Sequence, residues 1–169
     1  MMKLLVVSDS HGNRSILKEL KRKYEHEMDA LIHCGDSELR AVDPVLEGFH
    51  VVSGNCDLDP KFPNELLLNI QGNKIFITHG HLFQIKSSLL NISYRAKELG
   101  AQFAFFGHSH LLGADKMDEI VFLNPGSILL PRGGNEKTYS IVQKDDSACT
   151  ICFYNDHHEE ITSYRQTFA

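Results

Sequence analysis

Short unbroken apolar runs, each ending in a polar residue beside a glycine, set the rhythm of the first two thirds of this chain. Residues 3–8, 30–34, 49–53 and 101–106 are apolar at consecutive rather than alternate positions. Such runs mark strands buried on both faces. Between them, residues 13–27 carry helical spacing: Ile16, Leu17, Leu20 and Tyr24 share one face, and Asn13 can cap the start. Residues 87–99 read as a second helix with Gly100 as its stop. Residues 37–47 read as a helix interrupted at Pro44, which has no N–H for the ladder. Strands at 66–70 and 74–78 flank Gln71-Gly72-Asn73 and predict a hairpin.

The last third changes character. A strand at 119–123 is followed by a hairpin pairing 138–144 with 148–154 around Asp145-Asp146-Ser147. The tail, 157–169, reads equally as strand or coil. Alternating strand and helix builds a mostly parallel sheet, whereas strand after strand builds antiparallel ribbons. An α/β arrangement of two sheets face to face, with helices outside, accommodates both. Without internal repeats or a long linker, residues 1–169 are expected to form a single domain.

The chemistry sits where the apolar runs stop. Five of them end in metal-ligating types: Asp9 and His11, Asp36, Asn55, His79, then His108 and His110. In open α/β sheets ligands bind beyond the carboxyl ends of the strands, so these seven side chains can converge. Gly12, Gly35, Gly54, Gly80 and Gly107 accompany them, as sharp turns at a crowded site require. Any one group alone reads better as a turn residue. Seven oxygen and nitrogen donors exceed one tetrahedral ion and suit two ions sharing a carboxylate, for which Asp36 is the natural bridge. Asn55, a neutral donor, keeps the site from becoming too negative to admit a phosphate.

Composition narrows the classes. A formal net charge of -5, with no long basic run, argues against a broad nucleic-acid-binding surface. No stretch approaches the roughly 20 apolar residues that span a bilayer. The four apolar residues 4–7 are too few for a signal-peptide core, so a cytoplasmic location is the expectation. Cys149 and Cys152 form a C-x-x-C pair inside a predicted strand, where residues three apart face opposite sides. They read as strand residues, not as a redox pair or a zinc site.

Asp9-x-His11, Gly35-Asp36, Gly54-Asn55, His79-Gly80 and Gly107-His108-x-His110, in this order, resemble the calcineurin-like metallophosphoesterase superfamily. Gly54-Asn55-Cys56-Asp57, the short length and Asn124-Pro125-Gly126-Ser127 look like its small single-domain phosphodiesterases, the YfcE type. The resemblance implies a four-layer α/β/β/α sandwich, two mixed sheets flanked by helices. It implies one ion on Asp9, His11, Asp36 and His110 and a second on Asp36, Asn55, His79 and His108. Manganese is the expected ion; nickel, iron and zinc also suit the ligands. It implies hydrolysis of a small phosphodiester by a hydroxide bridging the ions and attacking phosphorus in line, with phosphomonoester hydrolysis as an alternative.

Cys56 departs from the pattern, because many larger members carry a histidine there to protonate the leaving group. A thiol can donate a proton, although it suits that work less well. Cys56 and the adjacent Asp57 are therefore the candidate catalytic side chains, with packing and turn roles as the bland readings. The short loops 57–64 and 81–86 predict an open site. A non-catalytic alternative also follows from the resemblance, since the retromer complex contains a scaffold subunit of this fold. The seven-residue ligand set argues for catalysis, and a homo-oligomer is compatible with the subgroup.

Overall fold

A computed structural model describes residues 1–168. The order of elements is β1 (Met2–Val7), α1 (Arg14–Tyr24), β2 (Ala30–His33), β3 (Phe49–Val51), β4 (Glu65–Ile70), β5 (Asn73–Thr78), α2 (Leu90–Glu98) and β6 (Phe103–Phe105). Then come β7 (Leu112–Met117), β8 (Ile120–Pro125), β9 (Thr138–Lys144), β10 (Ala148–Asn155) and β11 (Glu160–Thr167). One sheet runs β11-β10-β9-β1-β2-β3 and the other β4-β5-β6-β8-β7. Both are mixed: β1, β2 and β3 are parallel, as are β5, β6 and β8, and the remaining pairs are antiparallel.

Period-two geometry explains why these runs are apolar throughout. In β1, Leu4 and Val6 point between the sheets, against a core that includes Ile75, Ile77, Phe103 and Phe105. Leu5 and Val7 point outward and meet Ile16, Leu17, Leu20 and Tyr24 of α1. On the far side, Phe76, Ala104 and Phe122 pack with Ile92 and Ala96 of α2. The result is the expected four-layer α/β/β/α sandwich.

Several boundaries differ from expectation. Asn13 caps α1, its side chain accepting from the Ile16 amide, but the helix ends at Tyr24. There Asp29 is claimed by β1: its amide donates to the Lys3 carbonyl at 2.8 Å and its carboxylate accepts from the Lys3 amide at 2.7 Å. The second helix is confined to Leu90–Glu98, with Gly100 in the left-handed region just beyond it. Residues 37–47 do not form the predicted helix; only a 3-10 turn at Pro44–Leu46 appears. The amides of Glu38, Leu39 and Ala41 donate instead to Asp57 (2.8 Å), Ser37 Oγ (3.2 Å) and Asp59 (2.8 Å). Side-chain acceptors thus replace the helical ladder.

Strand β7 has no counterpart among the expected elements. It is an edge strand with little apolar character, and its hairpin with β8 turns through Asp118 and Glu119, both at positive φ without a glycine to signal it. The tail forms β11, and its last residue, Ala169, lies outside the described residues. Cys149 is buried between the sheets, Cys152 is half-buried, and no pair is joined: all four cysteines are free.

Candidate metal centre

The parallel strands deliver their carboxyl ends to one edge of the sandwich. β1 leads to Asp9 and His11, β2 to Asp36 and β3 to Asn55, all from the first sheet. β5 leads to His79, and β6 to His108 and His110, from the second. The centre therefore straddles both sheets. Five of the seven residues hold positive φ: Asp9 (55°), His11 (43°), Asp36 (55°), His108 (69°) and His110 (60°). Asp, Asn and His tolerate this region better than most residues, at a cost of about 1–3 kcal/mol each. Cross-strand ties fix the strain in place. The Asp9 amide donates to the Gly35 carbonyl, and those of His11 and Gly107 to the carbonyls of Asp36 and His79, each at 3.0 Å. Two glycines are obligatory for close approach. A Cβ on Gly54 would stand 2.0 Å from Asp36 Oδ1, and one on Gly107 2.0 Å from Ser8 Oγ.

Asp9 is fully buried. Its Oδ2 accepts from Ser8 Oγ at 2.6 Å and from the His108 amide at 3.1 Å. Its Oδ1 has no hydrogen-bond partner. Around that oxygen stand His110 Nε2 at 3.1 Å, and His11 Nε2 and His79 Nε2 at 3.8 Å. The outer nitrogens of these rings are already engaged: His79 Nδ1 donates to the Cys34 carbonyl at 2.8 Å and His110 Nδ1 to the Leu130 carbonyl at 2.6 Å. His11 Nδ1 donates to Glu38 at 2.6 Å. A carbonyl or carboxylate only accepts, so each neutral ring carries its proton on Nδ1 and turns a lone pair inward. His11 Nε2 and His110 Nε2 face each other at 3.4 Å. His79 Nε2 faces Asn55 Oδ1 at 3.1 Å and Asp36 Oδ2 at 3.2 Å.

Acceptors facing acceptors at such distances need a positive charge among them. Ligands about 2.1 Å from a shared ion stand about 3.4 Å apart, which is the spacing found here. Asp9, His11 and His110 form one group fit for a divalent ion, and Asp9, Asp36 and His79 another. The residues fit the cations that the sequence implies. The same field acts on protons. Burial would raise the Asp36 carboxyl, but His79 outweighs it and holds the group well below the usual carboxylate range. The Asp9 carboxylate beside it raises His110 against the effect of burial. Burial lowers His79, but Asp36 and Asp9 more than reverse it. His108 is pushed down to about 4 by burial and then by His79.

The other predicted residues take distinct places. His108 stands outside the tightest groups, its ring 5.1 Å from that of His79. The Cys56 amide donates to Asp36 Oδ1 at 2.8 Å, and its exposed thiol lies within reach of His11 and Asp36. Burial and then the Asp36 charge push that thiol up to about 11. The Asp57 carboxylate accepts from the amides of Asp36 (2.8 Å), Gly54 (2.7 Å) and Glu38 (2.8 Å), clamping the β2 loop to the β3 loop.

Sequence reasoning missed Glu38 and Ser127. Glu38 sits at φ 55° with its carboxylate on His11. Ser127 Oγ donates to the Asp9 carbonyl at 2.8 Å and accepts from the Leu129 and Leu130 amides. Its neighbour Asn124 donates to the Gly107 carbonyl at 3.0 Å and Ser109 Oγ at 2.9 Å. The Asn124-Pro125-Gly126-Ser127 motif was the available signal for these last two; for Glu38 there was none.

Residues 2–147 match the calcineurin-like phosphoesterase superfamily domain. The chain is 46% identical over 160 residues to the probable metallophosphoesterase YsnB of Bacillus subtilis, covering 95% of each. It is 29% identical over 174 residues to the phosphodiesterase YfcE of Escherichia coli, covering 86% of this chain and 89% of that one. A crystal structure of a predicted phosphoesterase from Streptococcus pneumoniae superposes with a TM-score of 0.96 at 39% identity, covering 99% of this chain and 98% of that one. Fold, inward-facing acceptors and sequence agree: the chain belongs to the calcineurin-like phosphoesterase superfamily.

Proposed function

We propose that this chain hydrolyses phosphodiesters with two divalent ions, residues 1–169 acting as one catalytic domain. Asp9 Oδ1 carries this reading: it is a buried anionic oxygen without a partner, ringed by three imidazole nitrogens. Asp9, His11, Asp36 and His110 would hold one ion, and Asp36, Asn55, His79 and His108 the other, with Asp36 shared. Bound divalent ions supply Lewis acidity, which lets water ionise near neutral pH and offsets charge developing on phosphoryl oxygens.

The chain's own groups orient and tune. Glu38 and the carbonyls of Cys34 and Leu130 fix the ring directions of His11, His79 and His110, so the lone pairs converge before any ion binds. His108, lowered to about 4, is a neutral imidazole at neutral pH and free to ligate. Cys56, with its thiol near 11, keeps its proton at neutral pH and can offer it only to a strongly basic leaving group. Asp57 acts as a positioning residue, because both its oxygens receive backbone amides. The preference for diesters is supported by the similarity to a phosphodiesterase, and manganese is the expected ion.

The test follows nitrophenolate release from bis-p-nitrophenyl phosphate by metal-stripped protein, with and without manganese, beside p-nitrophenyl phosphate. Manganese-dependent turnover that favours the diester is the expected result. Turnover of the monoester alone overturns the diester preference. No turnover with manganese, nickel, iron or zinc, in folded protein, overturns the catalytic reading in favour of a scaffold.

A further inference from the structure

Two cavities flank the metal centre, and they differ in charge. One, of about 500 Å³, opens on the Cys56 side, where Arg40 and Lys61 are matched by Glu38 and Asp59. Its acids are engaged: Glu38 accepts from His11, and Asp59 from the Ala41 and Lys61 amides. The other, of about 430 Å³, opens on the His108 and His110 side. Its floor is apolar, with Ile85, Phe106 and Phe122 buried beneath it. Its inner end is Ser109, which lies between the two histidines and is held by Asn124.

Two cations, Lys86 and Arg132, also line this second groove, against a single acid, Asp115. Neither cation has a carboxylate within 4.0 Å among the described residues. Asp115 accepts from the Lys116 amide at 2.8 Å. A volume of this size is in the range of small-molecule sites, and unpaired cations over an apolar floor match a ligand with an apolar body and a negative end.

Resting on the phosphodiesterase reading above, we infer that this groove takes one arm of the substrate, an arm with an apolar ring system and a second phosphate. The ring system lies on the Phe106 and Phe122 floor, and the second phosphate meets Lys86 and Arg132. These two residues set specificity and take no part in the bond cleavage.

The probes are thymidine 3′,5′-bisphosphate and thymidine 5′-phosphate, which share one body and differ by one phosphate. Each is titrated calorimetrically into manganese-loaded protein and tested as a competitor of bis-p-nitrophenyl phosphate turnover. The bisphosphate is expected to bind roughly tenfold tighter, as one or two partly exposed charge-assisted contacts allow. The double variant Lys86→Ala/Arg132→Ala is expected to erase that ratio, whereas Arg40→Ala/Lys61→Ala in the opposite cavity keeps it. Equal binding of the two probes, in protein that turns over the nitrophenyl diester, overturns the groove assignment and leaves the phosphodiesterase reading standing. The groove assignment falls in the same way if the ratio survives in Lys86→Ala/Arg132→Ala or disappears in Arg40→Ala/Lys61→Ala. Absence of both turnover and phosphate binding overturns the phosphodiesterase reading, and the groove assignment with it.

Discussion

β1 to β3 and β9 to β11 belong to the same sheet, yet only the first group ends in chemistry. The parallel strands return through crossovers, so their carboxyl ends gather at one edge and present Asp9, His11, Asp36 and Asn55 together. The antiparallel strands reverse at each turn, so successive ends fall on opposite edges. The side chains at their turns serve the backbone. Asp145 accepts from the Ser147 and Ala148 amides, and Asn155 from those of His157 and Glu159. Strand direction, more than residue type, decides whether a strand-end aspartate joins the buried cluster or caps a turn.

Substitutions that separate activity from stability test this contrast. Asp36→Asn is expected to have the largest effect, lowering diester turnover on the order of a thousandfold, because on the proposed assignment it would weaken the sites of both ions. Retention of near-native turnover and metal content would break the assignment of Asp36 as the shared ligand. Glu38→Ala comes next, since it frees His11 to rotate and shift its tautomer. Manganese affinity, measured by titration of the stripped protein, should fall about 10- to 100-fold with the fold unchanged. Asp145→Ala lies on the other side of the contrast. It should lower the denaturant concentration at the unfolding midpoint, since the β9–β10 turn loses its acceptor, and leave turnover alone. A parallel loss of turnover there would show that the antiparallel region is coupled to the site. Cys56→Ser should change least, by less than about threefold on a nitrophenyl diester, whose leaving group needs little acid help. A large loss on that substrate would return the thiol to the chemistry.

The layers were legible because double burial leaves a plain trace: β1 is apolar on both faces since both faces are covered. The seven candidate residues stand out in the sequence because each closes such a run, and the structure brings the side chains of six of them within hydrogen-bond or ion-pair range of another member, with the His108 ring set slightly apart. What escaped was tertiary. The 37–47 segment has helical residues, but Asp57 and Asp59, some twenty residues later in sequence, take its amides. Glu38 looks like any surface acid until the chain brings His11 beside it. The edge strand β7 has few apolar contacts to announce it, and its turn relies on positive φ at Asp118 and Glu119. The carboxyl-terminal strand β11 is exposed along much of its length, so burial left no pattern in its sequence.

The straddling of two sheets gives the centre a mechanical meaning. On the proposed assignment, an ion held by Asp9 and His110 would close a chain loop of about a hundred residues, as a cross-link would, and would fasten the first sheet to the second at one edge only. The sandwich then behaves like a book clasped along one side. Loss of the clasp should loosen the clasped edge first, with amide exchange quickening in the loops after β1, β2 and β6 while the pages between Leu4 and Phe105 stay closed.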